Sequence, residues 1–230
     1  KAGIPAIIGT TQPETRKVFE EVAALKLAPL FFADQEYTVV YGLTDLDGNQ
    51  LLSVEKNGEK LFEQLKLDLK GMYQQLNLPA VLKTIELLRD MGWEISDEAL
   101  LRGLANARKM TGLMGRWQVL GYNPLLVCDT GHNAEGIKEV VFQMKQTPYE
   151  KLHIVLGLVN DKDPEKFLAL LPKNAEYYFT KADIPRAMEE KELAKIAAGF
   201  GLAGTTFSSV SKAFDAARSR AGKNDMVFVG

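Results

Sequence analysis

Apolar and polar positions fall into blocks along the chain, and the period within each block predicts its element. Residues 5–8 and 30–32 are short apolar runs of strand type. Between them Val18, Val22 and Leu25 recur at helical spacing, which predicts a helix over 12–26, with Thr11 as its cap and Pro13 in its first turn. Residues 38–44 and 51–55 are predicted strands on either side of Asp47-Gly48-Asn49, a hairpin signal. A further short strand is predicted at 65–69. Val81, Ile85 and Leu88 mark a helix over 77–91, and Ser96 caps another that runs from 97 to 104. Residues 111–116 are rich in Gly and Met and carry no core pattern, so a domain boundary is placed there, separating 1–112 from 113–230.

Beyond that boundary the pattern changes to strand–helix alternation. Strands are predicted at 125–128, 152–157, 176–180, 205–207 and 226–229, and helices at 133–145, 164–171, 188–200 and 210–221. Apolar strands alternating with amphipathic helices argue for an α/β fold, a doubly wound, Rossmann-like, mostly parallel sheet covered on both faces.

Composition narrows the function classes. The 230 residues suffice for one large domain or two ordinary ones, and 46% apolar with 25% charged residues is ordinary for a globular protein. A formal charge of −2 gives no electrostatic case for nucleic acid or an anionic membrane. No apolar run approaches the roughly 20 residues of a membrane span, and no signal peptide is visible. The single cysteine, Cys128, excludes an internal disulfide and fits a reducing cytoplasm. The start at Lys1-Ala2-Gly3-Ile4-Pro5 lacks an initiator Met, and the end at Met226-Val227-Phe228-Val229-Gly230 reads as a strand reaching a glycine turn. A piece of something longer is therefore expected.

The stretch from Gly115 to Asn133, G-R-W-Q-V-L-G-Y-N-P-L-L-V-C-D-T-G-H-N, concentrates the candidate chemistry. Asp129 follows the strand at 125–128, and His132 and Asn133 open the next helix, the corner where open α/β sheets keep their ligands. Free N–H groups at that helix start favour an anion. The competing reading is that Asp129 or Asn133 caps the helix. Asp129-Thr130-Gly131 also matches the aspartic-protease triplet, but no second copy exists and the surroundings are α/β. A Cys128–His132 nucleophile pair is opposed by the apolar strand around Cys128, which suits a small buried hydrophobe. His153 begins a strand without a partner at ligand spacing, and two histidines with one cysteine make a zinc site improbable. Asp161-Lys162-Asp163 is a candidate substrate loop or a solvated cap of the helix at Pro164. Arg116 carries a guanidinium suited to phosphate.

Gly115-Arg116-Trp117, the separation of thirteen positions between Arg116 and Asp129, the D-T-G-H-N segment and the D-K-D loop at 161–163 together resemble folylpolyglutamate synthase and its bifunctional dihydrofolate synthase relatives, of the Mur ligase superfamily. The family usually reads D-G-A-H-N. The resemblance implies that 1–112 is the C-terminal part of an ATP-binding central domain and that 113–230 is a glutamate-ligase domain without its last segment. It implies an ATP-dependent ligase of folate biosynthesis and one-carbon metabolism. L-glutamate would be joined to a folate or dihydropteroate through an acyl phosphate, with ATP and Mg2+ as cofactors, small molecules as the partners, a monomer as the expected state and the cytoplasm as the location. Arg116, Asp129 and Asn77, from G-M-Y-Q-Q-L-N at 71–77, would meet ATP, His132 would help position glutamate, and Lys1 would be the family's carbamylated, metal-assisting lysine. The family's phosphate loop, of G-x-x-G-K-[ST] type, is absent, so these 230 residues are expected to be inactive in isolation. The other readings are a noncatalytic nucleotide- or ligand-binding module on the same scaffold and another Mur-type amino acid ligase.

Overall fold

The computed structural model describes residues 1–45, 49–131, 133–160 and 164–230. The chain divides into two units, Lys1–Leu113 and Met114–Gly230.

In the first unit β1 (Ala6–Ile8) runs through α1 (Pro13–Leu25) into β2 (Leu30–Phe32), its parallel partner. Thr11 does not cap α1. Gln12 holds that position without a side-chain cap bond, and Thr11 instead donates from N and Oγ1 to the two oxygens of Asp34, at 2.7 and 2.8 Å. The parallel pairing brings the ends of β1 and β2 together, so Thr11 meets this carboxylate first. Val18, Val22 and Leu25 are all half or more exposed, and Ala23 is the buried residue of α1.

β3 (Tyr37–Thr44), β4 (Gln50–Lys56) and β5 (Glu59–Leu67) form an antiparallel sheet in that order. Asp47 and Gly48 of the expected hairpin lie outside the described residues. Asp45 holds the far end of that connection, its carboxylate accepting Asn49 N at 2.8 Å. The strand expected at 65–69 is β5, and it starts far earlier. Asn57 and Gly58 both take positive φ, +51° and +81°, the two-residue turn whose twist suits a hairpin. Pairing across that turn carries residues 59–64, four of the six polar, into the sheet.

α2 (Gln74–Asp90) begins one turn before the expected Asn77, with Pro79 inside it. Its buried side is Gln74, Leu78, Leu82 and Lys83, and Val81 is exposed. The expected stripe is thus rotated by about one residue, roughly 100°. α3 (Asp97–Ala105) has the expected cap, Ser96 Oγ accepting Ala99 N at 3.1 Å. α4 (Ala107–Thr111) was not expected; the Asp68 carboxylate accepts Arg108 N at 2.9 Å and satisfies its first turn.

Tyr37, Leu52, Val54, Leu65 and Leu67 of the sheet pack against Leu78, Leu82, Leu100 and Leu104. One charged cluster closes this core. Lys83, 4% exposed, donates to Glu36 at 2.8 Å and Glu86 at 3.0 Å. Glu86 also accepts from Lys56 at 2.7 Å and from the Tyr37 hydroxyl. Burial pushes the Glu86 carboxyl up, but the bonds from Lys56, Tyr37 and Lys83 outweigh it and hold the group at about 2. Glu86→Ala should lower stability at pH 7 by about 2 kcal/mol, because it strips a buried lysine of one counter-charge. A lowered pKa stabilises above the ordinary value of 4.5, so the deficit should shrink as pH falls from 4.5 towards 2. Urea titrations at both ends of that range check it, and a pH-independent deficit would contradict it.

In the second unit β6 (Gln118–Gly121), β7 (Leu125–Cys128), β8 (Leu152–Leu156), β9 (Glu176–Phe179), β10 (Gly204–Thr206) and β11 (Met226–Val229) make one sheet, in the order β10-β9-β8-β11-β7-β6. Every pairing is parallel except that of β6 with β7. α5 (Ala134–Gln146), α6 (Pro164–Leu168) and α7 (Glu190–Gly199) share one core with Ile154 and Leu156, whereas α8 (Val210–Arg220) packs through Ala213 and Ala217 against Val155 and Val227. Neighbouring residues of β8 therefore face opposite layers, as the strand period requires. The chain moves from β7 out to β10 under α5–α7, then returns under α8 to insert β11 between β7 and β8. Right-handed crossovers allow that reversal only with a change of face. The reversal makes the carboxyl ends of β7, β11 and β8 the crevice of the sheet.

His153, at the opposite end of the sheet, has partners that the sequence did not reveal. It is 2% exposed, with Nδ1 3.1 Å from the Tyr178 hydroxyl and Nε2 3.2 Å from Asp225. Among the described residues no helix is long and apolar enough to cross a membrane.

Candidate functional site

β7 ends at Cys128, and Asp129 stays in register with β11 through Asp129 N, which donates to Val229 O at 3.1 Å. The Asp129 side chain then turns inward. It is 2% exposed; Oδ2 accepts Trp117 N at 2.6 Å and Oδ1 accepts Gly131 N at 2.7 Å. Two backbone N–H groups hold the carboxylate that the resemblance offers to a nucleotide, which satisfies a buried acceptor. Asp129 ties the turn before β6 to the corner after β7.

A second tie lies beside it. Gly115 O accepts from Thr130 N at 2.9 Å and from Thr130 Oγ1 at 3.0 Å. Gly115 sits at φ +71°, and a Cβ there would lie 2.5 Å from Thr130 Cγ2, so the position takes only glycine. Trp117 also has positive φ, +45°, and its buried ring lies 6.2 Å from that of Phe228. Arg116 is thus flanked on both sides by anchored residues. It is half-buried; Nη1 donates to Gly115 O at 3.1 Å and to Thr130 Oγ1, while Nε and Nη2 carry no hydrogen bond among the described residues.

Asn133 is a helix cap, its Oδ1 accepting Gly136 N at 2.7 Å, so the capping reading holds for this residue. His132 and the Asp161-Lys162-Asp163 loop lie outside the described residues. Burial, and the Asp129 charge next, push the Cys128 thiol up, which opposes a thiolate nucleophile. The structure brings Arg116 and Asp129 together within the second unit. Asn77 and Lys1 belong to the first: Asn77 is exposed on α2 and donates to Gln74 Oε1 at 2.9 Å, and Lys1 is exposed at the chain start. Among the described residues no group of three or more His, Cys, Asp or Glu side chains is placed to hold a metal. Sequence reasoning missed Thr130; the signal was its hydroxyl in the triplet Asp129-Thr130-Gly131.

The profile of the Mur ligase, glutamate ligase domain family matches residues 115–230. The chain belongs to that family. Over 99% of its length it is 31% identical to a probable bifunctional folylpolyglutamate synthase/dihydropteroate synthase from Haloferax volcanii, of which it spans 26%. The solved structure of Escherichia coli FolC in complex with DHPP and ADP superposes on the whole chain with a TM-score of 0.75 at 27% identity, and the chain covers 50% of it. The bifunctional folylpolyglutamate synthase/dihydrofolate synthase from Yersinia pestis, complexed with AMPPNP and Mn, gives a TM-score of 0.75 at 26% identity, again over the whole chain and 50% of that protein. The chain therefore spans half or less of the length of these relatives.

Proposed function

We propose that the chain is the glutamate-ligase part, with a piece of the ATP-binding part, of an ATP-dependent ligase that joins L-glutamate to a folate or dihydropteroate. The observation that carries this reading is the anchored Arg116, at the carboxyl edge of a family-matched sheet, with two guanidinium nitrogens unengaged by the described residues. ATP, when bound, supplies the phosphoryl group that turns the folate carboxylate into an acyl phosphate. Arg116 would hold a phosphate oxygen through Nε and Nη2, and charge developing there would meet a preformed donor. Asp129 acts through the backbone, keeping Arg116 at the corner. Asn77 and His132 remain proposed contacts to ATP and to glutamate, and Lys1 the proposed carbamylated lysine. Mg2+ remains a proposed cofactor of the whole ligase.

The test is ADP release that depends on both folate and glutamate, in the protein at its full natural length. Arg116→Ala should lower kcat/KM for ATP by about 30-fold, the scale of a charge-assisted contact of about 2 kcal/mol. The 230 residues alone, lacking a phosphate loop, should release no ADP. Unchanged ATP kinetics in Arg116→Ala, or turnover by the 230 residues alone, would sink this reading.

A further inference from the structure

We infer that Thr130 is a positioning residue for the Arg116 guanidinium, setting which of its nitrogens meet an anionic ligand; this rests on the function just proposed. The Thr130 hydroxyl donates its proton to Gly115 O at 3.0 Å, so its lone pairs are left to accept from Arg116 Nη1. Its methyl fills the space over Gly115 where a side chain would otherwise stand, 2.5 Å from the position of a Gly115 Cβ. Thr130 N donates to the same carbonyl at 2.9 Å, which fixes the backbone from which the hydroxyl projects. One β-branched side chain, stiff at χ1, therefore clamps the Nη1 edge of Arg116 from the far side of the corner.

The clamp has a chemical consequence. A guanidinium presents its donors as a rigid planar fork. With Nη1 engaged by Gly115 O and Thr130 Oγ1, the plane is fixed and the Nε–Nη2 edge is turned to whatever anion arrives. Without the hydroxyl, Nη1 keeps among the described residues only the Gly115 carbonyl at 3.1 Å, and rotation about the last side-chain bonds is freed. The ligand must then supply the ordering that Thr130 supplies now, which weakens binding without altering the reacting groups.

Thr130→Val removes the hydroxyl at nearly constant shape, and Thr130→Ser restores it. In nitrogen-detected NMR of the ligand-free 230-residue chain, Nη1 and Nη2 of Arg116 should be distinct in the parent and in Thr130→Ser, and should merge through fast rotation in Thr130→Val. In the full-length protein Thr130→Val should raise KM for ATP about ten-fold with kcat within about two-fold, a loss of uniform binding, and Thr130→Ser should recover it. In an Arg116→Ala background Thr130→Val should change KM no further. Unmerged Arg116 signals in Thr130→Val, or a serine variant as impaired as the valine variant, overturns the inference alone. Normal ATP kinetics in Arg116→Ala overturns the proposed function and this inference with it.

Discussion

Asp129→Ala is expected to lower the unfolding free energy by about 3 kcal/mol, since it leaves one buried and one part-buried backbone donor without their charged acceptor. The donors are Trp117 N at 2.6 Å and Gly131 N at 2.7 Å, and the carboxylate between them is 2% exposed, so water cannot replace it without opening the corner. Asp129→Asn keeps one acceptor oxygen and turns an NH2 group towards the other N–H, so it should recover less than half of the loss. The measurement is a urea titration read by Trp117 fluorescence in a Trp93→Phe background. In the full-length protein the same alanine variant should reduce kcat/KM for ATP at least as much as Arg116→Ala, because the turn bearing Arg116 is released with it. An alanine variant within about 1 kcal/mol of the parent would show that the corner does not depend on this carboxylate.

Asp225→Ala should be comparably damaging, at about 3 kcal/mol, for a related reason at the opposite end of the sheet. Asp225 is 5% exposed and accepts from Gly222 N at 2.7 Å, Lys151 N at 3.0 Å and His153 Nε2 at 3.2 Å. Burial raises its carboxyl, but the bonds from Gly222, His153 and Lys151 prevail and hold it below its ordinary 3.8. A carboxyl lowered on folding stabilises fully above the unfolded value and loses that contribution as pH falls through the folded one. The gap between the parent and Asp225→Asn should therefore be constant well above pH 3.8 and close below it. Glu176, 3.6 Å from His153 Nδ1 and paired with Arg220, faces the same ring and is present in both proteins, so it drops out of the difference. A gap that persists unchanged to pH 2 would assign the stability to shape rather than charge.

Local pattern made most elements of the second unit legible. Each of β7, β8, β9 and β11 is a predominantly apolar or aromatic run bounded by polar or turn residues, and the helices between them repeat at 3.6. Ser96 and Asn133 were readable as caps because capping is a contact over three residues. The Gly115-Arg116-Trp117 and D-T-G-H-N segments were recognisable, so the family was too. The first unit was less legible. Its α2 stripe was misplaced: the helix starts at Gln74, and its buried side runs through Leu78 and Leu82 rather than through Val81. The Asn57-Gly58 turn was not among the expected hairpins, although both residues take the positive φ that such a turn needs.

Chain order and periodicity thus assigned Asp129 to the end of a buried strand, but not the direction of its carboxylate. That direction is set by a donor twelve residues away, Trp117 N, whose arrival depends on the antiparallel return of β6 along β7. His153 likewise found Asp225 at a separation of 72 residues, through the insertion of β11 beside β8. Periodicity encodes which face of an element is apolar, a property of neighbours a few residues apart. Which polar groups meet across strands is a property of sheet order, and only the folded chain supplies it.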